Sequence, residues 1–193
     1  MPFATPPPEL AIHDWPLPYE TRLNRRLLSA IDLVVIHCTE LPDMAMTREF
    51  GERVHYPEKG TGNSGHYYIT EAGEVYRFVA DDRVANHTKD WNTRSIGIEM
   101  FNLGRYPHWG DSRHQAFTVA YTKEQIRALL ALLAQLRHDI PSLRYIAGHE
   151  DLDTRLEPAK DDPKIQLRRR QDPGPLFPWS DIVPTSGLAR LHP

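Results

Sequence analysis

A chain of 193 residues with a net charge of −3 and a single cysteine is long enough for one domain with a substantial core. The slight acidic excess argues against a nucleic-acid binder. The lone cysteine excludes an intramolecular disulfide and a cysteine-based zinc cluster, and no run reaches the length of a membrane span. The amino terminus, Met1-Pro2-Phe3-Ala4-Thr5-Pro6-Pro7-Pro8, has neither the basic start nor the apolar core of a secretion signal, so the expectation is a soluble, cytoplasmic protein. Ten histidines are a reason to look for a metal.

In chain order, residues 1–20 are proline-rich and aperiodic and read as an extended surface arm or a loose tail, leaving 21–193 as the folded domain. Thr21 to Ser29 suits a short helix or turn carrying Arg22, Arg25 and Arg26. Ile31 to Thr39 is almost unbroken in aliphatic and β-branched residues and predicts a strand buried on both faces. Alternation puts Leu33, Val35 and His37 on one face and Val34, Ile36 and Cys38 on the other. Thr47 is the expected cap of a short helix to about His55, followed by the glycine-rich loop Gly60 to Gly65.

His66 to Thr70 and Glu74 to Val79 flank Glu71-Ala72-Gly73 and predict a hairpin. Ser95 to Phe101 predicts a second buried strand, with Ile96, Ile98 and Met100 on one face and Gly97 and Glu99 on the other. A long loop bearing Tyr106, His108, Trp109, His114 and Phe117 comes next. Its aromatics suit either packing on a sugar face or anchoring the loop. Thr122 and Gln125 form a capping box at the head of a helix carrying Ile126, Leu129, Leu130, Leu133, Leu136 and Ile140 at helical spacing, and Pro141 ends it. Arg144 to Ala147 predicts a short strand leading into Gly148-His149-Glu150. Charged, proline-broken chain follows to Pro178, with a short helix after it. Strands and helices intermix without repeats, which predicts an α/β domain with a mixed central sheet flanked by helices.

Three potential ligands stand where an apolar strand ends or a turn begins: His37, His149 and Asp172. Two imidazoles and a carboxylate satisfy a catalytic zinc ion, which takes three protein ligands and leaves a position for water. Far apart in sequence, they carry little specificity by spacing alone, and His37 reads equally as a hydrogen-bonded residue at a strand end. Cys38, on the opposite face from His37, is badly placed for a cysteine–histidine pair and suits core packing.

Val35-Ile36-His37, Ser64-Gly65-His66, Ser95-Ile96-Gly97-Ile98-Glu99, Gly148-His149 and Asp172-Pro173-Gly174-Pro175 occur in the order found in zinc-dependent N-acetylmuramoyl-L-alanine amidases. Over residues 31–182 the chain resembles this type-two amidase family, which includes AmpD-like enzymes and peptidoglycan-recognition proteins. The resemblance implies that fold, a Zn2+ cofactor held by His37, His149 and Asp172, and Glu99 as the catalytic carboxylate. It implies cleavage of the amide between N-acetylmuramic acid, or its anhydro form, and the L-alanine of the stem peptide, with peptidoglycan or a muropeptide as partner. Arg170 stands where the family usually has an oxyanion-stabilising lysine. His66, His87 and Asn102 match positions at the substrate groove. The chain departs from the family's Trp-His-Ala-Gly segment, reading Asn86-His87-Thr88-Lys89 instead. A non-catalytic peptidoglycan-binding module of the same fold is the alternative; oligomeric state is left open.

Overall fold

The computed structural model describes residues 10–192. In chain order its elements are β1 (Ile12–Asp14), β2 (Leu33–Cys38), α1 (Met44–Glu52), β3 (Tyr67–Ile69), β4 (Val75–Arg77), β5 (Ser95–Met100), α2 (Lys123–Asp139), β6 (Tyr145–Gly148), α3 (His149–Leu152), β7 (Leu156–Pro158), β8 (Gln166–Arg168), α4 (Trp179–Ser186) and β9 (Ala189–Arg190). Seven strands form one sheet in the order β1-β4-β3-β5-β2-β6-β9, and β7 and β8 form a separate antiparallel pair. Within the large sheet only β3 and β4 run antiparallel. The mixed sheet flanked by helices is thus the observed architecture.

β2, the most apolar run, lies inside the sheet between β5 and β6 and is buried throughout, as a strand covered on both faces must be. Val34 and Ile36 join Ile96, Ile98 and Met100 of β5 against Leu129, Leu132, Leu133 and Leu136 of α2. The opposite face is thinner: Leu33, Val35 and Ala147, backed by Trp91, Tyr145 and Leu152. The chemistry-bearing residues sit on this second face.

α2 has the expected capping box, Thr122 Oγ1 accepting from Gln125 N and Gln125 Oε1 accepting from Thr122 N, both at 3.0 Å. Its inward stripe is rotated from the expected one. Gln125, Ala128 and Leu132 are buried while Ile126 and Leu130 are only partly so. The Gln125 amide donates to Phe101 O at 2.8 Å, giving a polar residue a reason to face the sheet.

α1 starts earlier than expected. Asp43, not Thr47, is its cap, accepting from Met46 N at 2.7 Å. Thr47 instead returns its hydroxyl to Asp43 O, one turn back. In place of a helix over residues 21–29, single 3-10 turns at Glu20–Arg22 and Leu28–Ala30 stand at its two ends.

The described part of the proline-rich arm is integral to the fold. β1 pairs with β4 from Ile12 to Asp14, Leu17 and Tyr19 are buried, and Tyr19 donates its hydroxyl to Gly51 O of α1 at 2.6 Å. The boundary expected at residue 20 therefore falls inside the packed body; residues 1–9 lie outside the described residues. Among the described residues no helix is long and apolar enough to cross a membrane.

Candidate metal centre and acid in the cleft

β5, β2 and β6 are adjacent and parallel, so their carboxyl ends open on the same edge of the sheet, where α/β folds commonly place ligands. His37 is paired in register with Glu99, and Ile36 with Gly148, the residue before His149. Asp172 arrives from the Asp-Pro-Gly-Pro turn and is tied to α3 by Glu150 N donating to Asp172 O at 2.9 Å. The four groups line one cleft of about 640 Å³, together with His87, Thr88, Glu40, Arg105 and Arg170.

Nδ1 of His37 and Nδ1 of His149 approach the same oxygen, Asp172 Oδ2, at 2.9 and 3.0 Å. Burial brings His37 down to about 4 against the pull of Asp172, so its ring is neutral at pH 7 with one proton to place. The hydrogen bonds on its far side place it. Ser95 Oγ donates to Trp91 O at 2.8 Å, so it accepts from His87 Nε2 at 3.1 Å. A neutral His87 then has a bare Nδ1, which accepts from His37 Nε2 at 3.0 Å. Thr88 Oγ1, 3.3 Å from that nitrogen and 3.0 Å from His87 Nδ1, can accept from the first while donating to the second. The tautomers are assigned from this network.

The consequence is a His37 Nδ1 lone pair turned on the Asp172 carboxylate. Burial raises Asp172, but His149 outweighs it and holds the acid well below the usual range. A lone pair and an anionic oxygen at 2.9 Å repel unless a cation satisfies both. Asp172 Oδ1 is also buried without a partner. Two imidazole nitrogens and a carboxylate oxygen within 4.8 Å of one another fit a zinc-class ion.

Burial and the charge of Asp172 push Glu99 up to about 8, against the opposing pull of Arg170. Arg170 has a buried Nε without a partner, so the groove-facing guanidinium keeps donor capacity. Two glycines make room for these groups. A Cβ on Gly65 would lie 2.9 Å from Glu99 Cγ, and one on Gly97 would lie 2.7 Å from the His87 ring.

His66 and Asn102, expected at the groove, are not in the cleft lining. His66 is fully buried; its Nδ1 accepts from Gly97 N at 3.0 Å and its Nε2 faces Arg83 O. Asn102 is buried too, its amide donating to Val119 O at 2.9 Å and its Oδ1 accepting from Gly104 N. Cys38 is buried, and burial raises its thiol well above the ordinary range, which removes the thiolate a cysteine nucleophile needs.

Sequence reading missed Glu40 and Arg105. Glu40 takes a positive φ of 47° immediately beyond β2. Arg105 Nε and Nη2 donate to its two oxygens at 2.7 Å each, and Arg105 N donates at 3.0 Å. The available signal was the place of Glu40 just past the carboxyl end of the buried strand β2.

Such a pocket on such a sheet defines an α/β protein of hydrolase type, with two imidazoles and a carboxylate gathered closely enough to hold a cation beside a half-buried acid. The chain belongs to the N-acetylmuramoyl-L-alanine amidase family, whose model matches residues 27–175. It is 29% identical over 119 residues to the N-acetylmuramoyl-L-alanine amidase AmiD of Escherichia coli K12, a match covering 56% of this chain and 37% of AmiD. The chain thus matches little more than a third of that relative's length. Among solved structures, the amidase LysC from Clostridium intestinale superposes with a TM-score of 0.66 at 21% identity, over 92% of this chain and 98% of LysC. AmiD from E. coli, solved with the substrate anhydro-N-acetylmuramic acid-L-Ala-D-gamma-Glu-L-Lys, superposes with a TM-score of 0.63 at 21% identity, over 83% of this chain and 58% of AmiD.

Proposed function

We propose that this protein is a zinc-dependent N-acetylmuramoyl-L-alanine amidase acting on peptidoglycan fragments, with His37, His149 and Asp172 holding the ion. The observation that carries the reading is the in-register pairing of Glu99 with His37, which sets a protonatable carboxylate beside the cation pocket in a single cleft. Bound zinc supplies Lewis acidity, polarising the amide carbonyl and easing deprotonation of water.

Glu99 accepts the proton of the attacking water and returns it to the departing L-alanine nitrogen. A value raised well above that of a free carboxylate suits both halves of that exchange. Arg170 faces the oxygen that gains charge as the carbonyl carbon becomes tetrahedral. Its guanidinium delivers fixed positive charge but no proton, so the proton work falls on Glu99. His87 lines the cleft, but its ring nitrogens are spent on His37 and Ser95, and it acts by orienting a ligand. His66 and Asn102 hold the framework behind the groove.

The test is mass spectrometry of products from anhydro-muropeptides, with and without a chelator. Release of the intact stem peptide with a free L-alanine amino group, abolished by chelation and restored by zinc, is the expected result. A zinc-loaded sample that binds muropeptides and leaves them whole would instead establish the non-catalytic binding module.

The hydrogen-bond chain behind His37 gives a separate expectation. His87→Phe removes the acceptor that keeps the His37 proton on Nε2, and loss of such a partner typically weakens metal binding 10–100-fold. Competition with a chromophoric chelator measures this directly. Unchanged zinc affinity would mean that Thr88 alone orients the ring.

A further inference from the structure

The long loop before α2 carries a cluster that the proposed reaction does not use. His108 N donates to Arg105 O, Asp111 N to His108 O and His114 N to Asp111 O, at 2.7, 2.9 and 3.1 Å. Three successive i→i+3 turns fold this stretch on itself and bring together His108, Asp111 and His114, none of which belongs to the buried triad. One ligand atom of each lies within 4.8 Å of the others. The two imidazole rings are 4.6 Å apart, and His114 Nδ1 is 3.3 Å from Asp111 Oδ2.

The backbone beneath the cluster is fixed. Arg105 is locked to Glu40. Gln115 donates to Asp111 O at 2.7 Å and accepts from Gln171 at 2.8 Å. Ser112 bonds both oxygens of Asp161 at 2.7 Å, and Lys160 N donates to Gly110 O at 2.7 Å. A depression of about 310 Å³ opens beside His108 and Asp111.

We infer that His108, Asp111 and His114 form a second, surface site for a zinc-class divalent ion. The donor set of two imidazoles and one carboxylate is one that zinc favours, with exposed positions left for water. Tetrahedral bonds of about 2.0–2.1 Å put ligand atoms about 3.3 Å apart, a closure that exposed side-chain rotations supply. Arg113 now forks onto Asp111, with Nε to Oδ1 at 3.0 Å and Nη2 to Oδ2 at 2.8 Å. Its side chain is solvent-exposed and already 3.7 Å from Asp161, which can receive it when an ion takes Asp111. Trp109, between two of the ligands, lines the main cleft, so an ion here ties the cleft wall to the loop.

The test counts zinc per chain by elemental analysis at free zinc buffered near about 10 μM, in the wild type, in His149→Ala and in the double variant His108→Ala/His114→Ala. Both residues of the double variant are exposed, so its fold is undisturbed. Two ions in the wild type, and one in each variant, are expected. Arg113→Gln should bind the surface ion several-fold more tightly, because a competing cation is gone. One ion in the wild type that disappears in the double variant and persists in His149→Ala would still support the surface site, while removing the buried one. One ion lost in His149→Ala and kept in the double variant overturns the inference.

Discussion

Glu99→Gln is expected to retain zinc and fold while lowering kcat on muropeptide by about 10³-fold, within the 10²–10⁴ range of positioned general bases and near 4 kcal/mol of barrier. The amide keeps the size and hydrogen-bonding reach of the acid but cannot take up the proton of water. Substrate affinity should change little, because the loss falls on the transition state. Near wild-type turnover would remove Glu99 from the mechanism. The same variant has a signature in the metal-free protein that needs no substrate. Folded Glu99 is pushed up to about 8 from an ordinary 4.5, so the native state holds its proton more tightly than the unfolded chain. Between those values the native state binds more protons, and stability therefore falls as pH rises. Metal-free Glu99→Gln should match the wild type below about pH 4.5 and become the more stable of the two by pH 8. Denaturant unfolding at the two pH values measures it, and a gap that shrinks with rising pH contradicts the burial assigned to Glu99. With zinc in place, the added positive charge draws Glu99 down, so the acid limb of the activity profile should lie below pH 8.

Arg105→Met is expected to be the most destabilising single change near the cleft. Both partners of the Glu40–Arg105 pair are nearly enclosed, with side-chain exposures of 9% and 3%. Removing one partner of a buried pair leaves the other charge unpaired, which costs about 3–5 kcal/mol. In a protein of this size that is a Tm decrease of roughly 6–20 °C. The double variant Glu40→Asn/Arg105→Met should recover part of the loss, since it removes the stranded carboxylate and places at φ 47° a residue that tolerates the left-handed region. Equal melting temperatures for the single and double variants would show that packing, not charge, sets the penalty. The damage should reach the metal site as well. Arg105 Nη1 donates to Gln115 at 3.2 Å, and Gln115 in turn holds Gln171, the neighbour of Asp172.

What could be read in advance followed from local rules. The aliphatic runs of β2, β5 and β6 and the Thr122–Gln125 box announced themselves, because buried parallel strands and capping boxes write their own patterns. With the strands came the placement of His37, Glu99 and His149 near strand ends. β1 escaped notice because three residues between prolines carry no period; its pairing is decided by β4, over sixty positions later. The α1 cap is expected at Thr47 but falls on Asp43: both are residue types that cap helices, and local sequence does not choose between them. Glu40 and Arg105 could not be paired because 65 positions separate them. His87 was found by family resemblance, despite the altered residues around it, but its two ring nitrogens take their partners from β2 and β5, which only the assembled sheet supplies.

Gly65 and Gly97 lie directly against the Glu99 side chain and the His87 ring. Neither is at positive φ, so backbone freedom does not explain them; what matters at both is a missing methyl group. A single added carbon at Gly97 collides with the His87 ring, and one at Gly65 collides with the Glu99 side chain. Both positions bear no functional group, yet a mutational scan scored on turnover should flag them beside the acid and the ligands. The reactive groups of this protein are specified in part by vacant volume, a quantity that an inventory of side-chain chemistry does not register.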